Sequence, residues 1–90
     1  MFFTMDQIKQ ANHEAGGYWF SPGARRFFRS RLGRTVYRGR YFVSSEQQDD
    51  NHPRRYTIRR AGDDGRISTV GEFQEYATRA NAVAAIQNIK

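Results

Sequence analysis

Guanidinium groups are the chemistry this sequence offers in quantity. Residues 25–60 carry eleven arginines against Glu46, Asp49 and Asp50, a local charge of +8, whereas residues 1–24 and 61–90 each come to −1. The whole formal excess of +6 is therefore central. Arginine can grip phosphate or carboxylate with two parallel hydrogen bonds, which the compact ammonium of lysine cannot do. A protein that neutralises several phosphates also gains affinity by releasing their counterions, so the run points to DNA, RNA or a nucleoprotein as partner. Arg25, Arg26, Arg29, Arg38, Arg40, Arg55 and Arg59 are the candidate contacts.

Other reactive residues are sparse. His13-Glu14 and His52 stand 39 positions apart with no cysteine anywhere, too few ligands in the wrong places for zinc. Asp49-Asp50 and Asp63-Asp64 could hold magnesium in a nuclease, but both pairs sit among turn residues, where Asp serves local hydrogen bonds. Nucleophile elbow, phosphate-cradling glycine loop and dinucleotide fingerprint are missing. The expectation is a binding protein with no enzymatic activity, cofactor or metal. In Arg25-Arg26-Phe27-Phe28-Arg29-Ser30-Arg31 rings alternate with cations, as on surfaces where bases stack and phosphates are held. Helical spacing nevertheless assigns Phe27 and Phe28 to the core, leaving the arginines outside.

Two helices, three strands and a last helix must position these groups. Thr4-Met5-Asp6-Gln7 has the form of a capping box, and the helix it opens runs to Gly16-Gly17. Tyr18-Trp19-Phe20 fills the gap before Ser21-Pro22, which starts a second helix carrying Ala24, Phe27, Phe28 and Leu32 inward and ending at Gly33. β-branched and aromatic residues with period two then predict strands over 35–44, 54–61 and 66–73. Ser45 to Pro53 reads as a polar loop, and Asp63-Asp64-Gly65 as a hairpin turn. Thr78 caps a final helix through residue 89, with Ala82, Val83, Ile86 and Ile89 as its buried stripe. The predicted class is α+β, a three-stranded antiparallel meander in the order ααβββα. With helices covering one face, Arg38, Arg40, Arg55 and Arg59 would lie on the other.

At 90 residues one shared core is the economical arrangement, so a single domain over 1–90 is expected. Without cysteine, stability rests on packing, for which seven Phe, five Tyr and one Trp supply large rings. No apolar run approaches the ~18 residues of a membrane span, and the first residues lack a secretory signal, which points to the cytoplasm.

At Phe20-Ser21-Pro22, Arg26-Phe27-Phe28-Arg29-Ser30-Arg31, Tyr41-Phe42-Val43-Ser44-Ser45-Glu46 and Thr69-Val70-Gly71-Glu72-Phe73, the chain resembles small uncharacterised proteins carried by phages, plasmids and other mobile elements. That resemblance implies an accessory role in a mobile element and brings no functional residues with it. From Asp64-Gly65-Arg66-Ile67 through Ala80-Asn81-Ala82-Val83-Ala84-Ala85-Ile86 the layout is similar to βββα modules such as the arm-type DNA-binding domain of phage integrases and the double-stranded-RNA-binding domain. The basic helix start of the latter is reduced here to Arg79. The reading that follows is a mobile-element accessory factor docking on nucleic acid or a nucleoprotein. An anti-CRISPR-type inhibitor binding a host defence protein is the alternative, and a homodimer joined through a strand edge is a third.

Overall fold

Thr4 opens the first helix, α1 (Met5–Glu14), with the reciprocal bonds of a capping box: its hydroxyl accepts from the Gln7 amide, and the Gln7 side chain accepts from the Thr4 amide. In this computed structural model, which describes all residues from Met1 to Lys90, Met5, Ile8 and Asn12 form the buried side of that helix. Asn12 is a polar residue on an apolar stripe because its amide donates to the Gly65 carbonyl at 2.9 Å. That bond fastens α1 to a turn 53 residues away.

Ser21 caps a second helix, α2 (Pro22–Arg26), as the Ser-Pro pair predicts, but the helix lasts only five residues. A 3-10 turn over Phe27–Arg29 follows, with Phe28 at φ 54° and Arg29 at φ 50°, and the chain then enters β1 (Arg31–Leu32). Leu32, expected on the inner side of a helix, packs into the core from the sheet instead. The next segment also departs from expectation. Arg38 (φ 53°) and Gly39 (φ 74°) turn the chain back on itself, with Tyr37 and Tyr41 bonded across the turn. The strand expected from residue 35 therefore begins only at β2 (Tyr41–Glu46) and reaches into the segment expected to be loop.

Beyond it lie β3 (Arg55–Ala61), β4 (Ile67–Val70) and the last helix α3 (Arg79–Gln87), capped by Thr78. The sheet has four antiparallel strands in the order β1-β2-β3-β4, one more than the predicted meander, so the ααβββα arrangement is corrected while the α+β class stands.

Side chains opposite one another in an antiparallel pair point to the same face. Phe42 pairs with Arg59 and Arg59 with Thr69; Ser44 pairs with Thr57, and Val43 with Ile58. On the Phe42 face, Met5, Ile8 and Ala61 pack with Trp19, Phe20, Leu32 and Ile67. On the Val43 face, Ile58, Ala82 and Ile86 pack with a set of tyrosines. Both faces are thus covered, by α1 and the aromatic segment on one side and by α3 on the other. Burying a side chain such as Phe42, Ile8, Ile58 or Ile86 contributes about 1.5–3 kcal/mol. An open arginine-bearing face does not exist.

Candidate functional site

The buried centre of the Phe42 face is polar. Glu46, 2 % exposed and expected in a surface loop, ends β2 with its carboxylate among donors. It accepts from the Ser44 and Thr57 hydroxyls, each at 2.6 Å, and from Arg59 Nη2 at 3.3 Å. Arg59 donates further to Ser44 Oγ at 3.0 Å and Thr69 Oγ1 at 2.5 Å, and its guanidinium lies 5.2 Å from the Trp19 ring centre and 5.6 Å from that of Phe73. With 11 % of its side chain exposed, Arg59 is an internal strut.

Several of the other predicted contacts are also engaged. Arg38 donates to the carbonyls of Ile86 and Ile89, closing the C-terminal end of α3. Its expected position on a strand is replaced by one in the turn. Arg40 lies half-buried in the same turn. Arg55 donates to the carbonyls of Gln74 and Glu75, beside which the Tyr76 hydroxyl is pushed up by burial and, secondarily, by its bond to the Glu75 carboxylate. The Glu75 carboxyl is itself held low, first by the Glu72 amide. Arg29 pairs with Asp50 at 2.6 Å on the surface. Asp49 turns away from the arginines to His52, whose hydrogen bond holds its carboxyl below the usual range. Arg25 and Arg26 are exposed on α2. The structure therefore does not unite the seven candidates on one surface.

A different set of cations does converge, along the β1 edge. One cleft, about 340 Å³, is lined by Lys9, Arg25 and Arg34 with Asp6 as its one carboxylate. A second, about 240 Å³, is lined by Arg31, Arg54 and Arg79 together with Tyr56 and has no carboxylate at all. Leu32 and Gly33 line both, so the two clefts flank β1, the first on the Phe42 side and the second on the Val43 side. None of these six cations takes part in an ion pair. Arg54 is nonetheless fixed, donating to the carbonyls of Ser45 and Arg29. Gly33 packs tightly against β2: a Cβ there would stand 3.0 Å from the Val43 carbonyl oxygen.

Arg25 also lines a third hollow, about 140 Å³, walled by Trp19, Phe27, Phe28 and Phe73 over the buried Glu46 and Arg59. Phe27 and Phe28, expected in the core, are 72 % and 46 % exposed, and Phe73 is 44 % exposed. Trp19 and Phe20 do pack inward, edge to face with each other. The rings of Phe28 and Phe73 lie 5.3 Å apart, and the backbone on both sides of that pair, at Phe28, Arg29 and Gln74, is left-handed. Bulky side chains adopt this region at a cost, which the surrounding structure must offset. Sequence spacing missed the hollow because the pattern that hides Phe27 and Phe28 presumes a helix that stops at Arg26. It did register the alternation of rings and cations.

No group of three or more His, Cys, Asp or Glu side chains comes together as metal ligands would. No helix is long and apolar enough to cross a membrane. The model of DUF7447, a family of unknown function, matches residues 4–87. No curated protein and no solved structure matches the chain.

Proposed function

This chain belongs to the DUF7447 family, and we propose that it is a non-enzymatic, cytoplasmic binding module that takes up single-stranded nucleic acid, free or within a nucleoprotein. The carrying observation is continuity. The aromatic hollow and the first basic cleft share Arg25, so the rings and the unpaired cations Lys9, Arg25 and Arg34 adjoin as one track on the Phe42 side. A single strand needs such a track, since any base can stack on a ring while guanidinium and ammonium groups follow its phosphates. Phe27, Phe28 and Phe73 are the stacking surface, and Lys9, Arg25 and Arg34 hold the backbone. Arg26 and Arg29 lie beside the track, whereas Arg38, Arg55 and Arg59 hold the scaffold together and Arg40 sits half-buried in its turn. The resemblance to proteins of phages and plasmids suits an accessory factor that handles a mobile element's nucleic acid.

Titration of labelled single-stranded DNA and RNA at several salt concentrations tests this. Contact with four or five phosphates gives a log–log slope of about −3 for a single strand, so affinity drops roughly sixtyfold or more from 50 to 200 mM salt. Arg25→Gln and Arg34→Gln each flatten the slope by about 0.7, and Phe27→Ala lowers affinity with the slope unchanged. No salt-sensitive binding near 50 mM salt overturns the proposal.

The exposed rings also favour one second reading, an inhibitor seated on a host defence protein, because aromatic residues beside arginine are typical interface anchors. Capture of a single host protein that survives nuclease treatment and is lost in Phe27→Ala supports it over the first.

A further inference from the structure

We propose that the second cleft, between β1 and the start of α3, is a receptor for the terminal phosphomonoester of a nucleic-acid strand. This inference rests on the nucleic-acid reading and adds to it a preference for phosphorylated ends.

Charge is the first argument. Arg31, Arg54 and Arg79 line a cavity that contains no carboxylate, while Arg29 and Arg59 elsewhere each have an acidic partner. An internal phosphodiester brings one negative charge, whereas a terminal phosphate carries close to two at pH 7 and offers three oxygens to forked donors. Rigidity is the second. Arg54 donates from Nη1 to the Ser45 carbonyl and hydroxyl and from Nη2 to the Arg29 carbonyl, and Arg79 Nη2 donates to the Tyr37 hydroxyl at 3.3 Å. The three bonds fix the Arg54 guanidinium, the single one steers Arg79, and both groups keep further N–H bonds to donate, since each has five. A fixed donor needs little ordering when an anion arrives.

Size is the third argument. At about 240 Å³ the cleft falls below the ~300–1,000 Å³ of sites that enclose a whole small ligand, so it suits a protruding group with the rest of the molecule outside. The cleft lies beside β1 at the edge of the sheet, so the rest of the strand can remain outside it.

The experiment compares one short single-stranded oligonucleotide in three forms, 5′-phosphorylated, 3′-phosphorylated and unmodified, by fluorescence anisotropy with an internal label. At least one phosphorylated form binds about tenfold more tightly than the unmodified strand. The preference shrinks below about pH 6, where the phosphate takes up its second proton. Arg31→Gln and Arg79→Gln, checked by circular dichroism for intact folding, reduce the preference to less than about twofold, while Arg26→Gln retains it. Inorganic phosphate at millimolar concentration erodes the preference and leaves the unmodified strand bound. Equal binding of all three forms overturns the inference and leaves the single-strand reading standing. Failure of every form to bind overturns both. A preference that persists in both cleft variants places end recognition elsewhere and overturns the assignment to this cleft.

Discussion

Replacing Glu46 with alanine removes the acceptor on which Ser44, Thr57 and Arg59 converge and leaves a guanidinium with an 11 % exposed side chain facing no carboxylate. Breaking a buried pair from one side costs about 3–5 kcal/mol, because the remaining charge is desolvated without compensation. A chain of this length has a total stability of about 5–13 kcal/mol, and for such a domain each kcal/mol is worth about 4–8 °C in Tm. Glu46→Ala should therefore lower Tm by more than about 12 °C. Arg59→Met should cost a similar amount by stranding the carboxylate. The Glu46→Ala/Arg59→Met double variant should lose at least about 2 kcal/mol less than the sum of the two single losses, since neither charge is then left behind. Urea unfolding followed by circular dichroism and by the fluorescence of Trp19, the single tryptophan, which borders Arg59, measures all four corners of the cycle. Single losses below about 1 kcal/mol with additive behaviour would refute the reasoning, for they would describe a pair in contact with water.

Gly65→Ala should destabilise by about 2–4 kcal/mol, because the residue has φ +85° and its new methyl would run into the Ala11 carbonyl of α1. Gly23→Ala, with open space around it inside α2, should stabilise by about 0.5–1 kcal/mol, and thermal unfolding of the two reads both signs. Arg38→Ala should cost about 1–2 kcal/mol and speed amide exchange in the last turn of α3, whose carbonyls lose their donor. The Asp49 carboxyl, held low chiefly by its bond from His52, should titrate by NMR below an ordinary aspartate and return towards it in His52→Ala. A depressed folded value means that this tie stabilises above the unfolded pKa and is lost as pH falls through the folded one.

Local rules placed the elements whose signals are local. The Thr4 and Thr78 caps, the Ser21-Pro22 start and the turn at Asp63-Asp64-Gly65 all stand where residue type alone puts them. The alternation in β3 correctly set Arg55, Thr57 and Arg59 opposite Tyr56 and Ile58. Three features were not legible because their causes are tertiary. Nothing in the types of Phe28 and Arg29 announces a left-handed backbone, so a helix pattern that ran on to Leu32 concealed β1 and the hollow beside it. Thr35-Val36-Tyr37 has strand composition, yet Arg38 and Gly39 reverse the chain there. Glu46 read as a solvated loop charge because the hydroxyls that receive it come from β2 and β3. The basic clefts were concealed for a related reason: Lys9 shares a cleft with Arg25 and Arg34, and Arg79 one with Arg31 and Arg54, only through the folded chain.

The long-range ties of the two outer helices bear on how the molecule is made in the cell. Asn12 waits for Gly65, and Arg38 waits for Ile86 and Ile89, so two ties begun in the first half of the chain are completed only by later residues. The Val43 side of the sheet likewise stays bare until Ala82 and Ile86 are synthesised. The fold therefore closes late in chain order, since the last tie and the cover of its second core both come from α3.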